Sequence, residues 1–355
     1  MMGRLTLRKR MTGRFVLSLA VLLAGWAFVQ AQDAAPAPPA AAQQPAPAGN
    51  ASPSPWPVYP HWQEDLAAWR AAREGEIGAP DGWLTLVGME WLQPGVNTIG
   101  GAADNSVRVH AKVPDHIGLL KVGEKQPKGG SPPGDQAQEG QIVQLLAPAG
   151  GFPPDLMIDG KPAHEGQLTA DGPSPSTISW HSVTMVALRR GDRFALRIKD
   201  SDSPARAGFK GLNWFVPNPR YRVRAAWTPY TPPRTVKIPT ALGTTIDLPA
   251  PGFVEFVLDG KPVNLEPVLE DPERKTLFFI LGDVTNDIET YGTARFLYTG
   301  LPDHGLDKPG TLILDFNLLE NPPCAYTSYA ACPQPPDENR LPVAIEAGER
   351  LYAPQ

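Results

Sequence analysis

Apolar residues along this chain recur at two different spacings. Trp62, Leu66 and Trp69 stand four and three residues apart, so they share one face of a helix, and Gly75 is its predicted stop. After Asp81-Gly82 the pattern changes to short apolar runs broken by Gly, Pro, Asp and Asn. Strands are predicted at Trp83–Val87, Val107–Val109, Gln141–Leu146, Val183–Leu188 and Phe194–Ile198. Further strands are predicted at Tyr221–Trp227, Val254–Leu258, Thr276–Leu281, Ala294–Tyr298 and Thr311–Phe316. Strands at this density, with turn residues between them and no long helical period, predict an all-β protein of sandwich or barrel type with one short N-terminal helix. Gly123–Gly140 reads as a loop, being rich in Gly, Pro and Lys.

One turn sequence occurs twice. Asp159-Gly160-Lys161-Pro162 and Asp259-Gly260-Lys261-Pro262 each follow an apolar run. Asp-Gly suits a two-residue type I′ hairpin, in which both turn positions need positive φ. The echo suggests two β units, 61–205 and 206–355, with a seam within Pro204–Pro233. In that seam Phe209, Trp214, Phe215, Tyr221, Trp227 and Tyr230 are interleaved with Arg206, Lys210, Arg220, Arg222 and Arg224. Such a mixture either binds anions or sugars, or forms amphipathic strands whose cations cap carboxylates.

The N-terminus has the form of an export signal. Arg4, Arg8, Lys9, Arg10 and Arg14 precede the apolar run Phe15–Val29, and Val29-Gln30-Ala31 offers small residues for cleavage after Ala31. The alternative is an uncleaved anchor, but a helix rising ~1.5 Å per residue needs about 20 residues to cross ~30 Å of hydrocarbon. Residues 32–60 are dominated by Ala, Pro, Gln and Ser, too poor in apolar side chains to offset ordering entropy, and read as a disordered linker. A periplasmic or secreted location is expected, with no stable membrane span after cleavage. Loss of residues 1–31 removes five basic side chains and no acidic ones, so the formal charge falls from −5 to −10. An acidic exported chain is a poor match to nucleic acid, which needs a basic face.

Familiar catalytic motifs are absent: the sequence has no Gly-x-Ser-x-Gly, His-Glu-x-x-His, Gly-Lys-Ser/Thr or Gly-x-Gly-x-x-Gly. Six histidines are scattered without ligand spacing, and no metal or cofactor is implied. The densest chemistry lies near the end, from Asp315-Phe316-Asn317 through Asn321-Pro322-Pro323-Cys324 and Cys332-Pro333 to Glu338-Asn339. Cys324 and Cys332 are the only thiols, and in an oxidising compartment a disulfide between them is expected. Closing nine residues would stabilise by ~2.6 kcal/mol on the loop-entropy model.

Asp315 and Asn317 alternate with Phe316 at the end of an apolar strand, which predicts that both point to one side. Asp283 and Thr285 close another strand, with Tyr291 and Arg295 following, and Glu346 and Glu349 come later. Asp315, Asp283 and Glu338 are therefore the candidate acid and base groups. Asn317, Asn321, Asn339, Tyr291, Arg295, Arg197 and Trp214 are the candidate binding residues. Two readings stay open. One is a binding or structural module of the cell envelope that takes a sugar, a small acid or a divalent cation. The other is a hydrolase dependent on those carboxylates. In both, the amides have the competing role of bonding to backbone left unpaired by the prolines.

Leu92-Gln93-Pro94-Gly95-Val96-Asn97-Thr98-Ile99-Gly100 and Asp104-Asn105-Ser106-Val107 resemble the opening of a forkhead-associated β-sandwich, with Asp159-Gly160 at that family's Asn-Gly turn. Gly101 stands where the family has its phosphate-gripping Arg, and Val113-Pro114-Asp115 precedes His116 without the family's Ser. The resemblance therefore implies the scaffold and not phosphothreonine binding.

From about Trp62 to Tyr352 the chain resembles a bacterial and archaeal family known as domain of unknown function sixteen-eighty-four. The resemblance rests on Asp81-Gly82-Trp83-Leu84, Arg189-Arg190-Gly191-Asp192-Arg193, Leu196-Arg197-Ile198-Lys199-Asp200 and Phe209-Lys210-Gly211-Leu212. It continues through Gly282-Asp283-Val284-Thr285, Thr290-Tyr291-Gly292 and the closing block from Asp315-Phe316-Asn317 to Ala347-Gly348-Glu349. Leu318-Leu319 depart from that family's usual Arg-Ala. The resemblance implies a shared frame and no activity.

Overall fold

The computed structural model describes residues 59–352, apart from 125–140, 171–173, 191–192, 242, 271–272 and 274. The predicted export segment and nearly all of the predicted linker lie outside the described residues. Within them no helix is long and apolar enough to cross a membrane.

The chain is mostly β with one long helix, α1 (Trp62–Ile77). This helix runs past the predicted stop at Gly75 and ends at Gly78, whose N–H donates to the carbonyls of Glu74 and Glu76. Gly in a helix interior costs about 1 kcal/mol. Burial of Ile77, which is fully enclosed one turn from Arg73, outweighs that cost. The predicted strand at Trp83–Val87 is also shifted. Trp83–Thr85 forms a 3₁₀ turn, because Thr85 Oγ1 donates to the Gly82 carbonyl and Ser203 Oγ to that of Leu84.

The first half contains two sheets. One is ordered β1 (Leu86–Trp91), β11 (Arg193–Asp200), β10 (Val183–Arg190), β9 (Thr177–Trp180), β6 (Met157–Ile158), β7 (Lys161–Pro162). The other is ordered β3 (Val107–Arg108), β2 (Gly95–Gly100), β4 (Gly118–Glu124), β5 (Gln141–Leu146), β8 (Gly166–Leu168). Ile99, Leu120 and Leu145 from the second sheet share a core with Ile178, Met185, Leu196 and Ile198 from the first. Strand β4 extends through Gly123 and Glu124, which the sequence placed in a loop.

A four-stranded antiparallel sheet follows, ordered β14 (Lys261–Leu265), β13 (Thr245–Leu258), β12 (Arg222–Pro239), β17 (Gly310–Asp315). Its neighbour is the pair β15 (Leu277–Leu281) and β16 (Arg295–Thr299). β12 shows strand alternation, with Val223, Ala225 and Trp227 inward and Arg224 and Ala226 outward. β15 does not alternate: Leu277, Phe279 and Leu281 enter one core while Phe278 and Ile280 enter another. Burial on both faces is why its sequence reads as an unbroken apolar run.

Both Asp-Gly turns close two-residue hairpins. Asp159 and Gly160 have φ of 51° and 73° between β6 and β7, and Asp259 and Gly260 have 54° and 74° between β13 and β14. Another left-handed glycine, Gly348 at 79°, lies in the terminal block, where an added Cβ would sit 2.4 Å from the Leu319 carbonyl oxygen. Gly260 is open, with no atom within 4 Å of such a Cβ. We expect Gly260→Ala to lose roughly 1–2 kcal/mol, the cost of the left-handed backbone alone. Gly348→Ala should lose a further ~1–3 kcal/mol from the forced contact. Urea unfolding of the two variants measures the difference, and equal losses would show that the Leu319 contact relaxes freely.

Candidate functional site

The buried stripe of α1 continues from Trp62, Leu66 and Trp69 to Arg73, a guanidinium only 4% exposed. A charge removed from water to this degree costs several kcal/mol unless fully paired. Arg73 Nε donates to Glu349 Oε1 at 3.0 Å and lies 3.5 Å from Glu320 Oε2, and Nη2 donates to the Asn321 carbonyl at 3.0 Å. Glu76 is 3.8 Å away and the Tyr326 ring lies 5.9 Å below the guanidinium. Burial works against the Arg73 cation, but Glu320 and Glu349 outweigh it and raise its pKa well above the ordinary value. Glu349 is saturated on its other oxygen, which accepts from the Asn321 N–H and the Tyr326 hydroxyl, each at 2.6 Å.

Glu320 is less well served. Burial raises its pKa to about 7 against the partial relief of Arg73, and Glu349, Glu76 and Glu270 add repulsion. Its own backbone is fixed by an exchange of hydrogen bonds with Phe296.

The other sequence-predicted carboxylates are enclosed in similar pairings. Asp315 ends β17 and accepts from Trp62 Nε1 at 2.6 Å, from the Asn317 N–H at 3.1 Å and from Asn317 Nδ2 at 2.9 Å, with Arg222 Nε 3.4 Å away. Burial holds its pKa above the usual value. Asp315 and Asn317 do meet, but through a 3₁₀ turn over Phe316–Leu318 and not by strand alternation, since β17 stops at Asp315. Asp283 accepts from the Thr285 N–H and hydroxyl and from the Ile345 N–H. Arg295 Nη1 reaches Asp283 Oδ2 at 3.0 Å and the Ile345 carbonyl at 2.8 Å, while Nη2 donates to the Ala347 carbonyl. Both side chains of that pair are 0% exposed. Glu338 differs, lying exposed on the turn Asp337–Asn339.

The amides act on backbone. Asn339 accepts from the Glu266 N–H and donates to the Glu266 and Ile280 carbonyls, between β14 and β15. Asn317 makes a matching pair with the N–H and carbonyl of Asn218. Asn321 donates to the Arg350 carbonyl, and its buried Oδ1 has no partner among the described residues. Cys324 and Cys332 form the expected disulfide. The loop it closes packs towards the first sheet, where Thr327 Oγ1 donates to the Leu86 carbonyl. Tyr291 is half-buried, with its carbonyl accepting from Asn286, and Arg197 lies away from the block, on β11 between Met89 and Val186.

Of the predicted site residues, Trp214 borders an open groove. With Asn213, Ile288, Glu289, Arg350 and Leu351 it borders an open hollow of about 370 Å³. Its walls are tied together: the Arg350 N–H donates to the Asn213 carbonyl, the Leu351 N–H to the Glu289 carbonyl, and Arg350 Nη2 to Glu289 Oε1 at 2.9 Å. Helix α1 supports the floor, since Trp214 Nε1 donates to Glu74 Oε1 at 2.9 Å and Arg70 stacks on the indole at 4.7 Å. A smaller hollow of about 230 Å³ lies in the first half, lined by Thr98, Asn105, His116, Gly118, Leu119, Pro148 and Ala149. Among the described residues no three His, Cys, Asp or Glu side chains gather as a metal site.

Sequence reasoning missed Arg73, Glu320, Glu289 and Arg350. Arg73 alone carried a signal, standing four residues after Trp69 on the same helical face.

The Glu320 environment has a consequence for stability. The folded protein holds this proton to about pH 7, while the unfolded chain holds it only to about 4.5. The native state therefore binds more protons in that window, and stability falls as pH rises from about 4.5 to 7, then levels off. The raised Asp315 pKa acts in the same direction. Glu320→Gln should match the parent near pH 4.5, exceed it at pH 7.5 by on the order of 3 kcal/mol, and flatten the profile between. Guanidinium unfolding across this range is the measurement, and an unchanged slope would exclude Glu320 as the titrating group.

A family model described as "Protein of unknown function (DUF1684)" matches residues 207–350. The solution NMR structure of an uncharacterized protein from Haloarcula marismortui is 34% identical, with the match covering 41% of this chain and 78% of that one at a TM-score of 0.36. No curated protein matches the chain. The family match includes Trp214, the Asp283–Arg295 pair, the disulfide and Glu349, while Asp81–Leu84 and Arg189–Asp200 lie outside it. Residues 207–350 of this chain belong to the DUF1684 family of proteins of unknown function.

Proposed function

We propose that this protein is an exported binding module of the cell envelope, held on a Pro/Ala-rich tether, that takes a small ligand in the groove beside Trp214. The observation that carries this reading is a contrast in accessibility. Asp283 and Asp315 are consumed by buried partners, whereas Trp214, Arg350, Glu289 and Asn213 border an open hollow of about 370 Å³. That volume falls at the low end of ordinary ligand pockets, ~300–1,000 Å³. Two apolar side chains stand at its rim, Ile288 at 75% exposure and Leu351 at 44%. Exposed apolar groups beside fixed polar ones are the usual composition of a recognition surface.

The hydrolase alternative receives less support. Carboxylate-dependent hydrolysis of the glycosidic type needs two acidic groups facing one cleft, ~5–10 Å apart. Asp283 has a fully buried arginine against it, and Asp315 is closed over by Trp62 and Arg222.

Thermal-shift screening of the chain from residue 32 onward against sugars, small carboxylic acids and divalent cations tests the proposal. At least one class should raise Tm, since a ligand at 100 times its Kd stabilises by about 2.7 kcal/mol. Ile288→Arg, at an exposed position where folding should be unaffected, should fill the groove and abolish the shift. Absence of any shift, or a shift retained in Ile288→Arg, would overturn the assignment.

A further inference from the structure

We infer that the ligand of this groove is a neutral saccharide of one or two units; the inference rests on the binding-module reading and deepens it. Three ligand classes are open from sequence, and the charge state of the groove separates them. Arg350 and Glu289 are bonded to each other at 2.9 Å, so the hollow presents no unpaired formal charge. A small acid on the remaining Arg350 donors would stand against the Glu289 carboxylate, and among the described residues no second cation lines the hollow to offset that repulsion. A divalent ion needs six or more oxygen ligands if calcium, or near-octahedral geometry if magnesium. Here a single carboxylate lines the hollow, already paired.

What the groove does present is a mostly polar lining of planar hydrogen-bonding groups with a smaller apolar edge. The Arg350 guanidinium lies over the Phe215 ring at 5.0 Å, which holds its donor plane. Glu289 supplies carboxylate acceptors, and the exposed Asn213 amide offers both donor and acceptor. The Trp214 indole is locked from behind by Arg70 at 4.7 Å, by Trp69 edge-on at 5.5 Å and by the Nε1–Glu74 bond. With its one polar atom committed to Glu74, the indole has only carbon to offer a ligand. Ile288 and Leu351 extend that apolar edge. A pyranose has the complementary character. Its hydroxyls each donate and accept, its C–H face is apolar, and it carries no charge to disturb the Arg350–Glu289 pair.

The test is a ¹⁵N-resolved NMR titration of the chain from residue 32 onward with neutral mono- and disaccharides, with acetate and citrate, and with calcium chloride. Expected are shifts at the Trp214 indole, Asn213 and Arg350 with saccharide alone. Affinity should change less than twofold between 0.1 and 0.5 M NaCl, because a neutral ligand is insensitive to screening. Asn213→Ala keeps the backbone carbonyl that holds Arg350 and should weaken saccharide binding at least tenfold. Binding of an acid or calcium in the groove without any saccharide would overturn the saccharide assignment while leaving the binding module standing. Saccharide shifts confined to residues outside the groove would also overturn it. No ligand of any class at the groove would overturn both.

Discussion

Arg73 is the charge around which the second half of the structure closes. An ammonium or guanidinium group taken out of water costs several kcal/mol, and only a complete set of partners offsets it. Those partners come from chain segments about 250 and 276 residues away: the Asn321 carbonyl and the Glu349 carboxylate. Glu349 is in turn saturated by the Asn321 N–H and the Tyr326 hydroxyl. One helical side chain thereby fixes both ends of the terminal block. The same helix carries Trp62 to Asp315 and Glu74 to Trp214, so its first turn and the Arg73–Glu74 turn together grip three stretches of the later chain.

The buried pairs have a second physical effect. Asp283 with Arg295, and Glu349 with Arg73, place opposite charges where water is absent, and each carboxylate also collects neighbouring N–H or O–H donors. Networks of this kind specify one arrangement, because any slip leaves a charge unpaired, although Arg295 Nε and Asn321 Oδ1 stay buried without a partner among the described residues. Glu320 is the member left in excess, with two further carboxylates near Arg73 already competing for it. Its pKa is raised first by burial and then by the neighbouring carboxylates, which Arg73 only partly offsets.

The terminal block owes its shape to prolines and amides acting together. Prolines stop the ladder and strand backbone groups without partners, and Asn317 and Asn339 each supply a donor and an acceptor to an unpaired stretch. That work uses up these side chains. The groove forms instead at the block's outer margin, where Arg350 and Leu351 leave the core beside Asn213 and Trp214. The open hollow therefore lies next to the scaffold chemistry and not within it.

Local rules accounted for much of the architecture. The Asp-Gly hairpins, the β12 alternation and the start of α1 follow from residue type and period, which act over a few positions. The end of α1 did not, because burial of Ile77 by distant residues overrode a local glycine. Trp83–Thr85 escaped strand geometry in part for the same reason, since the distant Ser203 claims the Leu84 carbonyl while Thr85 bonds locally to that of Gly82. Among candidate residues, Asp315, Asn317, Asp283 and Arg295 were found as a polar set, but their role turned on solvent access. Sequence by itself determined the β class, the turns, the disulfide and the identity of the polar residues, since these depend on covalent order and short-range sterics. Only the tertiary structure decided which charges are buried against each other and which face water, because that depends on contacts across more than 200 residues that no local pattern encodes.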